Sequence, residues 1–395
     1  MPPPRSEGRS GPGPRSQGGS GPGPRSEGRS GLSRRRFLAL TAAAIAAGAC
    51  SSGRGLPDFS GQLRVLNWSD YIDPETVRRF EQATNIPVDY VEEYNGNEEA
   101  FEELFEPTLG RGRSTGYDIV VPTYWAVARM LEREWVQQVP LERVPNHVNI
   151  EPAYLGMPWD RGARFHMPWQ VGITGIAYNP ALTGGRQIRA VSDLFEPFLR
   201  GRVGMVSEMR ETVGLVMLTQ GADPSRATKE TAERALERLA AAKRDGQIRR
   251  FTADEFVDAL KSNEFAACLA WSGDIIQLQQ ERPDIRFVIP TEGGIRWFDS
   301  MVIPARSGGA EAAADWMNFV YDPANAARIT ATVQYISPVL GVREELQRAG
   351  GASARLAENP ILFPDDETRR RLYFWAGLDP AAEDRLQERF SAITE

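Results

Sequence analysis

Tryptophan or carboxylate side chains, often both, occur in five short segments of this chain, at 68–71, 123–125, 207–211, 271–274 and 297–299. The face of a tryptophan ring attracts an ammonium group and covers methylene groups, whereas a carboxylate forms charge-assisted hydrogen bonds with an amine. A site that alternates the two suits a flexible aliphatic chain with a positive charge at each end. The pattern therefore predicts a binding site for an organic cation and implies no catalytic group.

Each of these side chains also has a structural interpretation when it is taken alone. A tryptophan is often packed in a hydrophobic core, and an aspartate or glutamate often faces water or caps a helix. Asp274, for example, fits the first turn of a helix. The binding-site interpretation therefore depends on the joint placement of the five segments.

The segments follow or flank predicted β-strands. Strand and helix patterns alternate, which favours a parallel sheet with crossover helices. The first series has strands at 62–68, 86–91 and 117–121 with helices beginning after Asp73 and at 97–109, and the second has strands at 203–207, 266–271 and 285–290 with a helix at 228–244. Ligands of open α/β sheets bind beyond the carboxyl ends of the strands, so the aromatic and acidic groups are expected at one rim. Two such series indicate two lobes that face a cleft.

The N-terminal segment has the composition of a targeting sequence and not of a folded domain. Residues 1–32 are rich in Gly, Pro, Arg and Ser with an imperfect ten-residue repeat, which predicts a disordered low-complexity segment. Residues 33–50 combine an arginine pair, an apolar run and small residues before Cys50, which resembles a twin-arginine lipoprotein signal. We expect export and a lipid anchor at Cys50. A plain cleaved signal that happens to contain a cysteine is the alternative.

Charge and composition exclude several classes of function. The chain has 46 Lys and Arg against 53 Asp and Glu, a formal charge of −7. Residues 1–49 hold eight Arg and two Glu, so without them the charge becomes −13. An acidic protein of this kind repels nucleic acid phosphates and suits a cationic ligand. With two His and two Cys, we expect no metal site, no histidine-based catalytic triad and no cofactor.

Five motifs together resemble those of the bacterial periplasmic spermidine/putrescine-binding proteins of ABC importers. The motifs are LNWSDYI at 66–72, YDIVVPT at 117–123, AWSGD at 270–274, TEGGIRWFDSMVIP at 291–304 and QYISP at 334–338. The resemblance runs from about residue 63 to the region of Trp375, and the motif at 291–304 is its most specific part. It implies an α/β fold of the type II-like periplasmic binding protein class, with a ligand cleft between two lobes joined by crossing hinge strands.

The resemblance implies roles for particular carboxylates. Asp70 matches an acidic position of the first ligand-binding segment, where relatives more often carry Glu. Glu208 and Glu211 match two amine-binding positions, the first commonly Asp. Asp299 matches the carboxylate that holds an inner amine. These four are the leading candidates for contacts with the cation.

The remaining candidates are mostly aromatic. The resemblance implies that Trp125 stacks on the ligand chain, and that the other candidates line the same cleft: Trp68, Tyr71, Thr123, Trp271, Trp297, Tyr335 and Trp375. Trp375 departs from the family pattern, because relatives can carry Gln at the place that binds a terminal amine. An indole offers a ring face there but no acceptor oxygen. The choice of polyamine is therefore open.

The resemblance also implies the lobes and the partners. Lobe 1 is expected at 62–172 and 302–340, and lobe 2 at 173–301 and 341–395. The implied protein is a monomer outside the cytoplasmic membrane that closes on its ligand and delivers it to ABC permease subunits.

Three other functions compete with this interpretation. A solute-binding protein for a sugar is the main alternative, because sugar sites also use Trp and carboxylates. A glycosidase that uses Glu208 and Glu211 is a weaker alternative, since no nucleophile motif accompanies the pair. The third is a surface lipoprotein with a structural or adhesive role.

Overall fold

The computed structural model describes residues 58–395, which lie in one compact unit. The predicted low-complexity segment, the predicted signal and Cys50 lie outside the described residues. Among residues 58–395, no helix is both long enough and apolar enough to cross a membrane.

Fourteen β-strands are formed by the described residues. They are β1 Leu63–Leu66, β2 Val88–Val91, β3 Ile119–Val120, β4 Val136–Gln137, β5 Gly156–Met157, β6 Asp160–Arg161, β7 Met167–Tyr178, β8 Val203–Val206, β9 Ile248–Thr252, β10 Ala267–Trp271, β11 Arg286–Val288, β12 Gly294–Met301, β13 Ile303–Pro304 and β14 Leu372–Tyr373. All six strands expected from the sequence are present, with bounds shortened by up to two residues at an end.

The α-helices alternate with these strands, and short 3-10 turns complete the connections. The helices are Pro74–Thr84, Asn97–Ala100, Glu106–Thr108, Tyr124–Glu132, Met209–Leu218, Lys229–Arg244, Phe256–Lys261, Ser272–Glu281, Ala310–Val320, Pro323–Val333, Val342–Ala349, Gly351–Ala357, Asp366–Arg369 and Pro380–Thr394. The first begins as expected, because the Asp73 side chain accepts hydrogen bonds from the backbone N–H groups of Glu75 and Thr76. The expected helix at 97–109 instead contains a π-helical turn, Phe101–Phe105.

Two main sheets position the site. A parallel three-stranded sheet has the order β2-β1-β3, as the strand–helix alternation predicts. A seven-stranded sheet has the order β14-β12-β7-β10-β8-β9, with β11 also paired to β7. Strands β8, β9 and β10 run parallel to one another, but β7 is antiparallel to β10, β11 and β12. The second sheet is therefore mixed.

Strand β7 passes from one hydrophobic core to another. Its residues up to Ile173 pack in a core with Phe80 and Trp316, whereas Ile176 and Tyr178 belong to a second core that surrounds Leu236 and Phe265. Strand β12 makes the same change between Ile295 and Trp297. These two strands thus join the two packed regions at the level of the candidate site.

The helix Val342–Ala349 packs against the first core through Val342 and Leu346. The C-terminal helix Pro380–Thr394 instead contributes Leu386 and Phe390 to the second core. The limits of the lobes along the chain stay a prediction.

Candidate ligand-binding site

Asp299 lies on β12 with its carboxylate held between two hydroxyl groups. Oδ1 accepts a 2.8 Å hydrogen bond from Thr123, and Oδ2 accepts a 3.0 Å hydrogen bond from the phenol of Tyr71. The side chain is 4% exposed, and burial raises its pKa to about 7 against the lowering effect of the two hydrogen bonds. Within residues 58–395, no basic side chain forms an ion pair with it. Such a carboxylate gains from a cation that enters beside it.

Glu211, in the first turn of the helix Met209–Leu218, has a similar environment. Its Oε2 accepts hydrogen bonds from the hydroxyl of Thr174 and, at 2.7 Å, from the indole N–H of Trp271. Burial, followed by the charge of Glu208, raises the pKa of Glu211 to about 8. The charge of Asp299 adds to this effect, so the two carboxyl groups lie within electrostatic reach of each other.

Glu208 immediately precedes the same helix and is partly buried. Loss of hydration raises its pKa, and the neighbouring positive charge of Arg210 opposes this shift. Its charge also raises the pKa of both Glu211 and Asp299. The structure thus brings together three of the four carboxylates that the sequence singles out.

Asp70 is the carboxylate that is not brought into this group. Its side chain is exposed, and its backbone adopts a left-handed conformation with φ of 55°. Among residues 58–395 it takes part in no side-chain hydrogen bond and no salt bridge. The neighbouring Tyr71 is instead the member of this segment that reaches Asp299.

A chain of aromatic rings lines the carboxylates. Tyr71 meets Tyr335 edge-on with 5.2 Å between ring centroids, Tyr335 lies 5.8 Å from Trp297, and Trp297 lies 6.3 Å from Trp271. The indole N–H of Trp297 donates to the hydroxyl of Thr174 at 3.0 Å. Four of the predicted aromatic residues are therefore contiguous. Three of them donate hydrogen bonds directly to carboxylates, and Trp297 donates to the hydroxyl that bonds to Glu211.

Two glycines allow the rings to approach the backbone. A Cβ atom at Gly172 would lie 2.1 Å from Cζ2 of Trp297, and one at Gly273 would lie 2.2 Å from Cε2 of Tyr335. Real Cβ atoms do not occur at such distances, so both rings need glycine at these positions. The glycines fix how closely the aromatic wall packs against β7 and the helix Ser272–Glu281.

Trp68 and Trp125 lie beside this group and not within the chain of rings. The indole N–H of Trp68 donates to the carbonyl of Val121 at 2.8 Å, and its ring packs on Tyr94. Trp125 has the guanidinium of Arg210 over its ring, 3.4 Å from the centroid. One face of Trp125 is thus occupied by a cation that belongs to the chain itself.

Trp375 is 3% exposed and packs in the second core. Its indole N–H donates to Oε1 of Glu383 at 2.8 Å, and Oε2 of Glu383 lies 2.9 Å from Nη2 of Arg210. Its carbonyl accepts a hydrogen bond from Tyr124. Trp375 therefore connects to the site through Glu383 and Arg210.

The structure also places here three residues that are not among the site candidates from the sequence, although Asp274 lies in one of the five segments. Asp274 accepts a 3.0 Å hydrogen bond from the phenol of Tyr335, and burial raises its pKa to about 7. Thr174 contacts both Glu211 and Trp297. Asn97 donates to the hydroxyl of Thr123 at 2.9 Å. The AWSGD motif contains Asp274 and offered a signal for it, whereas Thr174 lies in a continuous buried strand that offers none.

The described residues show what the arrangement can do. Within residues 58–395, no three or more His, Cys, Asp or Glu side chains are grouped so as to hold a metal ion. Buried carboxylates that accept only from neutral donors, next to aromatic rings, favour binding of a small cation. Cation–π contacts and charge-assisted hydrogen bonds compensate such a cation for the water that it loses on binding.

Comparison with known proteins agrees with the architecture. Residues 75–364 match the family described as bacterial extracellular solute-binding protein. The spermidine/putrescine-binding periplasmic protein of Escherichia coli is 28% identical over 326 residues, which cover 82% of this chain and 90% of that protein. The putrescine-binding periplasmic protein of the same organism is 28% identical over 345 residues, 83% of this chain and 89% of that protein.

A solved structure adds evidence on the fold. The spermidine/putrescine ABC transporter substrate-binding protein of Streptococcus pneumoniae has a TM-score of 0.71 to this chain at 25% identity, covering 85% of this chain and 99% of that one. The predicted two-lobed α/β periplasmic binding protein fold is thereby confirmed. The family match covers well over half of the sequence, so the chain belongs to the bacterial extracellular solute-binding proteins.

Proposed function

We propose that this protein captures a polyamine, or a closely related organic cation, and delivers it to an ABC importer. The observation that carries the proposal is the pair of buried carboxylates, Asp299 and Glu211. Both accept hydrogen bonds only from neutral groups within residues 58–395, and burial raises the pKa of each. A bound ammonium supplies the missing positive charge, and the adjacent rings cover its methylene chain.

The names of the relatives support the same class of ligand. The relatives from Escherichia coli are named for spermidine and putrescine, and the relative from Streptococcus pneumoniae is named as the substrate-binding protein of an ABC transporter. We extend both the ligand class and the permease partner to this chain. The acidic and aromatic character of its site agrees with that extension.

We place the cleft between two lobes, 62–172 with 302–340 and 173–301 with 341–395. Hydrogen bonds at the site then join one lobe to the other, from Tyr71 and Thr123 to Asp299 and from Tyr335 to Asp274. Both acceptors are carboxylates, and burial raises the pKa of each. A ligand that bonds to these carboxylates would therefore favour the closed arrangement of the lobes.

We also propose that the protein is exported by the twin-arginine signal at 33–50 and held at the outer face of the membrane through lipid on Cys50. The acidic charge of the remaining chain suits a carrier of cations. We propose that this carrier is a monomer. Radiolabelled lipid incorporation that is lost on Cys50→Ala tests the anchor. Retention of the label in that variant would overturn it.

Calorimetry on residues 51–395 tests the proposed ligand. The titrants are putrescine, spermidine, a neutral amino acid and a monosaccharide of similar size. We expect a saturable response to an amine, and the Asp299→Asn variant should lose most of it. A response to the monosaccharide without any response to an amine would replace this proposal with a sugar-binding function.

A further inference from the structure

Arg210 lies between Glu208 and Glu211 at the start of the helix Met209–Leu218 and is 6% exposed. Its guanidinium lies 3.4 Å from the centroid of the Trp125 ring. Its Nη2 lies 2.9 Å from Oε2 of Glu383. An aromatic face on one side and a carboxylate at one edge therefore fix the position of this cation.

The second terminal nitrogen of Arg210 has no such partner. Nη1 is buried and donates no hydrogen bond to any atom of residues 58–395. A guanidinium offers five N–H donors in a rigid plane, and a buried donor without an acceptor is unfavourable. Nη1 is therefore a buried donor that could donate to an acceptor on a bound ligand.

The position of Arg210 also limits which ligand groups can bind against the ring of Trp125. Trp125 is one of the rings expected to stack on the ligand, but Arg210 already covers one of its faces. A second ammonium placed there would meet a fixed positive charge instead of an open ring. Glu211 and Asp299, by contrast, form no ion pair with a basic side chain of residues 58–395.

We propose that the ligand carries an ammonium at one end only and an acceptor oxygen at the other, and that Arg210 Nη1 donates to that oxygen. This inference rests on the proposed function and narrows its ligand class. The acceptor is neutral, because Glu208 lies beside Arg210 and repels a carboxylate. A diamine acylated on one nitrogen has this chemistry, with its amide carbonyl at Arg210 and its free amine at Asp299.

The test compares three ligands on residues 51–395 by calorimetry: putrescine, N-acetylputrescine and 4-aminobutanoate. We expect the wild-type protein to bind N-acetylputrescine more tightly than the other two. Arg210→Met removes the donor and the charge, so N-acetylputrescine should bind about tenfold more weakly or worse, the loss expected for a hydrogen bond from a charged group. Putrescine affinity should hold or increase, which a general structural defect would not produce.

Arg238→Met is the matched control. Arg238 also covers an aromatic ring, that of Phe195, at 4.3 Å, but it lies on the helix Lys229–Arg244 outside the site. Its substitution should leave the ratio of the affinities unchanged. If Arg210→Met does not fold, Arg210→Lys keeps the charge without the planar fork and should still weaken N-acetylputrescine several-fold.

Two results overturn the inference in distinguishable ways. If wild-type protein prefers putrescine and Arg210→Met leaves the ratio of affinities unchanged, Arg210 does not donate a hydrogen bond to the ligand. The proposed function would then stand. If wild-type protein binds none of the amines, spermidine included, the proposed function fails and the inference fails with it.

Discussion

The hydroxyl of Thr174 accepts a 3.0 Å hydrogen bond from the indole N–H of Trp297. The same hydroxyl donates its own proton to Glu211. One buried side chain on β7 therefore couples the orientation of an aromatic wall to the position of a carboxylate. Because a hydroxyl can donate and accept at once, no apolar residue of similar size can replace it.

Thr174→Val should weaken amine binding by about 1–2 kcal/mol, because Glu211 and Trp297 each lose a partner. Trp271 remains as a donor to Glu211, so binding should be reduced and not abolished. Calorimetry with the preferred amine measures the change. Thr219→Val is the matched control, since that hydroxyl donates only to the carbonyl of Val216 outside the site. Equal affinities in wild type and Thr174→Val would show that the coupling does not contribute to binding.

Asp299→Asn should separate binding from stability. The variant keeps a side chain of the same shape but loses the charge, so amine affinity should fall by about 2 kcal/mol or more.

Without ligand, the Asp299→Asn variant should become more stable relative to the wild type as pH rises. Burial raises the pKa of Asp299 to about 7 in the folded protein, above the value of about 4 for an unfolded aspartate. Wild-type protein therefore loses stability as pH rises from about 4 to about 7, and the loss is constant above that pH. Thermal unfolding of ligand-free protein at pH 5 and pH 7.5 measures this difference. A variant that is less stable than wild type at both values would contradict the assigned environment.

Gly273→Ala should damage the site through Tyr335. The new Cβ would lie 2.2 Å from the ring, so the ring must move away from Asp274 and Trp297. We expect amine affinity to drop at least tenfold, which calorimetry measures. Gly156→Ala is the control, because its Cβ would meet only Pro152 at an ordinary distance of 3.7 Å. If Gly273→Ala binds as tightly as Gly156→Ala, Tyr335 is not part of the ligand wall.

Short-range sequence signals predicted much of the site. The motif at 291–304 places Trp297 and Asp299 two residues apart on one strand. In the structure, Trp297 reaches Glu211 through Thr174, and the charge of Asp299 raises the pKa of Glu211. Such pairs are found from sequence because spacing along a strand fixes their faces. Asp70 shows the limit of this reasoning, since a left-handed backbone at that residue accompanies an exposed side chain.

Long-range partners could not be predicted. Arg210 pairs with Glu383, 173 residues further along the chain, and this pairing depends on how the C-terminal helix packs. Thr174 lies within twelve consecutive buried residues of β7, where nothing distinguishes it from a threonine of the core. The mixed second sheet has the same origin, because β7 gains its antiparallel neighbours only from strands more than 80 residues away.

Amine affinity should increase with pH between about 6 and 8.5. Burial raises the pKa of Glu211 to about 8 and that of Asp299 to about 7, so both carry protons in much of the empty protein at pH 6. A bound ammonium stabilises the carboxylates, so binding releases protons and is weakened as pH falls. Each proton released changes affinity by about tenfold per pH unit.

Calorimetry in buffers of different ionisation enthalpy counts those protons directly. Glu211→Gln is the informative variant, because it removes the group with the pKa of about 8 and leaves Asp299 in place. Its binding should be weaker at pH 8, and its affinity should depend less on pH between 7.5 and 8.5 than that of the wild type. Affinity that is constant from pH 6 to 8.5 in the wild type would mean that neither carboxyl group pairs with the bound cation.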